Sequence, residues 1–197
     1  MVSDSKKIVV AMSGGVDSSV AAALLKNQGH DLIGISLQLW NYGWDTDQRF
    51  GTCCSLDDLA DARRVAERVG IPFYILNMEN EFKEKVVDYF VDEYMNGRTP
   101  IPCTACNKKL KFDELMTRAE EYGYDYVATG HYASVVQDAS GRYTVKRGRD
   151  RWKDQSYFLF DLSQDQLSRI WFPLGEMEKG EVRGLAESLS LNVANKA

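Results

Sequence analysis

Seven residues, Ser13-Gly14-Gly15-Val16-Asp17-Ser18-Ser19, stand between an apolar run at 7–12 (KIVVAM) and an Ala/Leu-rich stretch at 18–27 (SSVAAALLKN). A short apolar run, then glycines, then helix formers reads as a strand feeding a helix through a tight turn. In that setting two adjacent glycines let backbone amides converge on an anion. The helix start adds partial positive charge, and Ser13, Ser18 and Ser19 add hydroxyl donors. A phosphate or pyrophosphate suits such a turn; the bland alternative is a tight turn with a serine cap. No lysine follows the glycines, so the GxxxxGK[ST] pattern is absent, as is the GxGxxG spacing of dinucleotide sites.

The same alternation continues along the chain. It predicts a strand at 31–39, a helix at 56–69 stopped by Gly70, a strand in IPFYIL, a helix from the cap Asn80 to about residue 95, a helix at 108–122 and a strand at 124–129. Strands alternating with helices imply an α/β fold, a parallel sheet with helices on both faces and right-handed crossovers. Residues 134–146, broken at 138–141, read as a β-hairpin, and short helices follow near 164–170 and 178–189. We therefore expect a catalytic-type α/β unit over 1–135 and a hairpin and helical segment over 136–197. NGRTPIPCTAC, with one glycine and two prolines, reads as an exposed loop.

A net charge of −5 excludes a uniformly basic nucleic-acid surface, yet KRGRDRWK at 146–153 and the lysines Lys108, Lys109 and Lys111 are locally basic, either as solvated faces or as phosphate contacts. With 44% hydrophobic residues the chain is not disordered. No apolar run approaches the roughly 18 residues of a membrane span, and no secretory leader is evident, so a cytoplasmic protein without membrane partners is expected.

Four cysteines occur as Cys53-Cys54 and as a CxxC, Cys103 and Cys106. The latter pair sits before a predicted helix start rich in lysine, a setting that favours thiolate and makes Cys106 a candidate nucleophile. A redox disulfide, half of a zinc site, two iron–sulfur ligands or a structural pair are the other readings. Cys53 and Cys54 read mainly as buried thiols. His131, at a predicted strand end, is either a phosphate or base contact or a hydrogen-bonded structural histidine. Trp40, Tyr42 and Trp44 are stacking candidates or core aromatics.

The glycine loop resembles the PP-loop of the N-type ATP pyrophosphatases, which cleave ATP between the α- and β-phosphates. A wider set of blocks, AMSGGVDSS, CSLDDLADARRVAERVGIPFY, EYMNGRTPIPC, ACNKKLKF, ATGHYA, KDQSYFLF and FPLGEMEKGEVR, resembles the tRNA-specific 2-thiouridylases (MnmA/TrmU family). The resemblance implies that ATP lies against Ala11, Met12, Ser13, Gly14, Gly15, Val16, Asp17, Ser18, Leu37 and Gly130, with Asp17 helping to organise pyrophosphate and Mg²⁺. It implies that Cys106 is the nucleophile with Cys103 as partner, and that Ile101, Pro102, Cys103, Lys153, Asp154 and Gln155 meet tRNA. Many family members have Asn, Pro and Asp where this chain has Ile101, Pro102 and Cys103. The resulting CxxC adds a second option, a [4Fe–4S] cluster held by Cys103 and Cys106 with a third ligand beyond residue 197.

The implied reaction is adenylation of the C2 oxygen of the wobble uridine with release of pyrophosphate, then sulfur attack at C2 and loss of AMP. Sulfur would come from a persulfide carrier protein or from hydrosulfide. The family's second catalytic cysteine and its later tRNA-gripping domains would lie past residue 197, so a portion of a longer protein is expected. The rival readings are a PP-loop sulfur or amide transferase acting on another substrate, and an ATP- or metal-binding module without catalysis.

Overall fold

The computed structural model describes residues 5–40 and 55–196. Strand β1 (Lys7–Ala11) leads through the glycine loop into helix α1 (Val16–Asn27), followed by β2 (Asp31–Gln38), α2 (Leu56–Val69) and β3 (Phe73–Asn77). A long helical run comes next: α3 (Glu79–Phe82), a π-helical stretch Lys83–Asp88 and α4 (Tyr89–Met95). A second run holds α5 (Pro102–Cys106), another π-helical stretch Asn107–Phe112 and α6 (Asp113–Glu121). Strand β4 (Tyr126–Ala128) and a hairpin of β5 (Ala133–Gln137) and β6 (Tyr143–Arg147) follow. The chain closes with a 3₁₀ turn Ser156–Leu159, α7 (Gln164–Arg169), β7 (Ile170–Trp171) and α8 (Lys179–Ser188).

The expected α/β architecture is present. Five strands form one sheet in the order β3-β2-β1-β4-β7, and every pairing in it is parallel. Alternate residues of the central strands enter different cores, as a sheet covered on both faces requires. Ile8, Val10 and Leu32 pack with α1, α2 and α8. Val9, Ile33, Ile35 and Leu37 pack with Leu110, Phe112 and Leu115 of the second helical run. Leu174, Val182, Ala186, Leu191 and Val193 complete the first core beside Ile8 and Val20, so residues 1–135 and 136–197 share it.

Local signals explain most boundaries. Ser55 and Asp58 form a reciprocal capping box at the start of α2, and Gly70 ends it at φ 73°, a left-handed conformation that glycine adopts without strain. Three expectations need correction. The helix expected from 108 begins at Pro102, because proline is favoured in a helix's first turn, where its missing N–H would have no partner anyway; the irregular loop is correspondingly shorter. The helix expected at 80–95 starts at Glu79 with Met78 at its cap position, and Asn77 Oδ1 accepts the Glu79 N–H at 3.0 Å; Asn80, the expected cap, lies inside the first turn. Ile170, expected to be helical, leaves α7 and with Trp171 forms the fifth strand, a pairing too short to show as a period. Tyr42, Trp44, Cys53 and Cys54 lie outside the described residues. Among the described residues no helix is long and apolar enough to cross a membrane.

Candidate nucleotide and thiol sites

From β1 the chain winds outward through β2 and β3, then returns to place β4 on the opposite side of β1. The order of a parallel sheet reverses there, and a crevice opens at the carboxyl ends of the two strands. Two segments meet in it: the loop from β1 into α1, and Thr129-Gly130-His131 after β4. Their approach is close enough that a Cβ on Gly130 would stand 2.6 Å from Ser18 N and 2.7 Å from Asp17 C. Gly14, at φ 74°, is pressed against α2, where a Cβ would stand 2.0 Å from the Asp58 carbonyl oxygen. Both glycines are therefore required by contact, Gly14 by its conformation as well.

Within the loop the hydroxyls are not all turned outward. Ser19 Oγ donates to the Gly15 carbonyl at 2.8 Å, and Ser18 Oγ donates to the same carbonyl at 3.2 Å while accepting the Ser13 N–H at 3.2 Å. Ser18 and Ser19 thus build the turn, and the exposed Ser13 carries the hydroxyl best placed for a ligand. Met12, Val16 and Leu37 are buried core residues, so at these positions only the main chain can serve a nucleotide; Leu37 lies inside β2 rather than after it. Ser36 Oγ donates to the Met12 carbonyl and Met12 N–H to Ile35 O at 2.8 Å, which fixes the exit of β1.

Distant residues complete the site. Asp17 Oδ1 accepts from Tyr132 Oη at 2.8 Å and from Lys179 Nζ at 2.6 Å. Burial, then the Asp17 carboxylate, pushes the Tyr132 phenol well above its ordinary range, so it stays a donor. Lys196 Nζ donates to the Gly14 carbonyl at 3.1 Å and to the carboxylates of Asp58 and Asp61. Burial raises both carboxyl pKa values, but Lys196, with Ser55 on one and Arg64 on the other, outweighs it and holds both below the usual range. Neither lysine could be assigned to the loop from the sequence, because each lies more than 160 residues from its partner there: Lys179 is 162 from Asp17 and Lys196 is 182 from Gly14.

His131 Nδ1 lies 2.7 Å from Thr129 Oγ1, and its ring sits against Phe112 and Phe172. Burial, with the Lys111 charge nearby, pushes its pKa far below the ordinary value, so the imidazole is neutral at pH 7. The hydrogen-bonded structural role accounts for its contacts.

The CxxC lies on a helix. Ile101 caps α5, Pro102 is its first residue, and Cys103 falls in the first turn with Cys106 three residues on, so both thiols share one helical face. The helix start expected at Cys106 belongs instead to the turn of Cys103. Cys103 is exposed and Cys106 half-buried, and they stand as thiols rather than a disulfide. Among the described residues no three His, Cys, Asp or Glu side chains gather to hold a metal ion.

KDQSYF ties the two sites together. Gln155 brackets Tyr132, its N–H donating to Tyr132 O at 3.0 Å and its Oε1 accepting Tyr132 N–H at 3.2 Å. Phe158 O accepts from Asn107 Nδ2 at 3.3 Å, next to Cys106. Asp154 is likewise turned inward, accepting the N–H groups of Gly148 and Ser156, whereas Lys153 is exposed beside Trp152, which is 96% exposed. The basic segment is weaker than its sequence suggests, because Arg149 pairs with Glu178 and Glu181 at 3.7 and 3.5 Å. Lys108 pairs with Asp161 at 2.8 Å, and Lys109 lies over the Tyr89 ring. An open groove of about 450 Å³ lies elsewhere, lined by Lys108, Asp113, Gln166 and Arg169 among others; it touches neither the loop nor the thiols.

Comparison with known proteins bears on these sites. The family described as tRNA methyl transferase HUP domain matches residues 6–197. A Geobacter metallireducens protein named tRNA-specific 2-thiouridylase MnmA is 58% identical over 194 residues, 97% of this chain and 53% of that protein. A protein of the same name from Clostridium perfringens is 53% identical over 191 residues, again 97% of this chain and 53% of its own length. The chain therefore spans about half the length of these relatives. NMN synthetase from Francisella tularensis superposes with a TM-score of 0.59 at 20% identity, over 98% of this chain and 66% of that one. A 4-thiouridine synthetase in complex with RNA and ATP superposes at 0.56 with 17% identity, over 97% and 43%. At such identities the two structures speak to the fold alone.

Proposed function

Since the chain belongs to the family of the tRNA methyl transferase HUP domain, we propose that it is the ATP-using portion of a tRNA-uridine 2-sulfurtransferase that thiolates the wobble uridine. The observation that carries this reading is the crevice between β1 and β4, where Gly130 packs against the main chain of Asp17 and Ser18 at the end of the glycine loop and Lys179 donates to Asp17. The names of the similar proteins support the choice of substrate.

ATP lies with its phosphates on the amides of residues 14–18 and near Gly130. Lys179, which donates one bond to Asp17, has further N–H groups for phosphate oxygens. Asp17 is suited to a magnesium ion shared with those oxygens, since Mg²⁺ takes one or two carboxylates together with substrate phosphates. When bound, that ion offsets phosphate charge. The C2 oxygen of uridine attacks the α-phosphorus, pyrophosphate leaves, and a sulfur nucleophile then adds at C2 and expels AMP.

Cys106 carries the sulfur as a persulfide received from a persulfide carrier protein; the outer sulfur adds at C2, and Cys103, beside it on the same helical face, then attacks Cys106 Sγ, breaking the S–S bond and leaving a Cys103–Cys106 disulfide. Ile101, Pro102, Cys103 and Lys153 face the tRNA, while Asp154 and Gln155 shape the segment that presents Lys153. Were a [4Fe–4S] cluster bound, Cys103 and Cys106 would supply two of its thiolate ligands. A persulfide carrier protein as sulfur donor and a cytoplasmic setting complete the proposal.

The test uses the full-length protein, ATP, a persulfide donor and uridine-containing tRNA. AMP and pyrophosphate are expected to form only when tRNA is present, and Cys106→Ala is expected to keep pyrophosphate release while losing both AMP release and 2-thiouridine. AMP formation stimulated by a small molecule and indifferent to tRNA would move the protein to another PP-loop transferase; no AMP under any condition would leave a binding module.

A further inference from the structure

The geometry points to Lys196 as a positioning residue for the phosphate loop: its ammonium clamps the Gly14 carbonyl and so aims the Gly15 amide into the anion site. The inference rests on the reading of that loop as a pyrophosphate cradle. Lys196 is the side chain a search for a phosphate-binding lysine would choose first, yet its donors are already committed. An ammonium has three N–H groups. Lys196 directs one to Gly14 O at 3.1 Å, one to Asp61 Oδ2 at 2.7 Å and one to Asp58 Oδ1. With all three engaged and two carboxylates beside it, it is matched to its pocket rather than to a phosphate, whereas Lys179 donates to Asp17 alone among these acceptors.

What the clamp accomplishes follows from the planar trans peptide. The carbonyl of Gly14 and the N–H of Gly15 belong to one rigid unit and point in opposite directions. Holding the carbonyl toward α2 therefore turns the amide away from α2, to the side where the loop faces the crevice. Without a clamp this peptide is the one most free to flip, because Gly14 occupies a left-handed φ of 74° and glycine is not confined there. The clamp's foundation is rigid. Asp58 is part of the capping box of α2, its main chain touches Gly14, and Asp61 is held a second time by Asn192 Nδ2 at 2.7 Å. Residues 192–196 thus reach across α2 and set the orientation of one peptide in the loop.

The experiment measures the affinities of Mg–ATP, Mg–pyrophosphate and AMP by calorimetry for the full-length protein. The variants are Lys196→Met and the charge-balanced pair Lys196→Met/Asp61→Asn, with thermal denaturation alongside. Removing the lysine alone leaves carboxylates uncompensated, so the single variant is expected to lose thermal stability and the pair to regain part of it. If the clamp aims the amide, ATP and pyrophosphate bind at least about tenfold more weakly in both variants while AMP is little changed, because one oriented N–H to a charged phosphate is lost in each. ATP and pyrophosphate affinity restored in the pair, or ATP and AMP weakened in parallel, would show that Lys196 only holds the fold and would overturn the inference. A wild-type protein that binds neither ATP nor pyrophosphate would overturn the cradle reading and this inference with it.

Discussion

Gly130→Ala adds one methyl group where the turn after β4 meets the first turn of α1. That methyl would stand 2.6 Å from Ser18 N and 2.7 Å from Asp17 C. Both are main-chain atoms, so no side chain can swing aside, and reaching the 3.4 Å of ordinary contact requires the head of α1 to retreat by about 0.8 Å. Overpacking of this kind costs about 1–3 kcal/mol. At roughly 2–4 °C per kcal/mol for a chain of this size, a cost of about 2 kcal/mol lowers Tm by about 4–8 °C. The same retreat stretches amide-to-phosphate hydrogen bonds of about 2.9 Å past the useful range, so Mg–ATP affinity is expected to fall at least tenfold. Gly184→Ala is the control. It lies exposed inside α8, a Cβ there meets nothing within 4 Å, and its φ is not positive. It should therefore stabilise the protein by about 0.5–1 kcal/mol and leave ATP affinity alone. Differential scanning calorimetry and ATP titration on the two variants decide the matter. Equal Tm shifts in both, or native ATP affinity in Gly130→Ala, would refute the claim that the close approach builds the site.

Two further perturbations probe the distant partners. Tyr132→Phe removes the hydroxyl that donates to Asp17 at 2.8 Å and leaves Lys179 as that oxygen's partner; a loss of about 1–2 kcal/mol in urea denaturation with weaker Mg–ATP binding is expected, and unchanged values would remove Tyr132 from the site. His131 has a folded pKa below its unfolded value near 6.5, so as pH falls below about 6.5 the unfolded chain takes up a proton that the folded chain refuses, and stability drops by at most about 1.4 kcal/mol per pH unit. His131→Asn should flatten that slope between about pH 6.5 and 3, and parallel stability curves for the two proteins would contradict the neutral imidazole.

The local architecture was legible because its causes are local. Apolar run, glycine pair and helix formers within about twenty residues place β1, the loop and α1, and Gly70 marks the end of α2. The doubly covered sheet follows from strands that are apolar on both faces. Where a residue has two roles, composition misleads: Pro102 looks like loop in a run of eleven residues, yet it opens α5, and that decides which thiol lies in the helix's first turn. Partnership across the chain was not legible at all. The sequence by itself determined that a glycine loop stands at the head of a helix without a lysine of its own. Only the tertiary structure decided that Lys179 and Lys196 come to that loop, that Ser18 and Ser19 turn inward to build it, and that Ile170 and Trp171 extend the sheet beside β4. The physical reason is that backbone propensity is set by neighbours a few residues away, whereas the partner of a charge is set by which helices the two hydrophobic cores bring together.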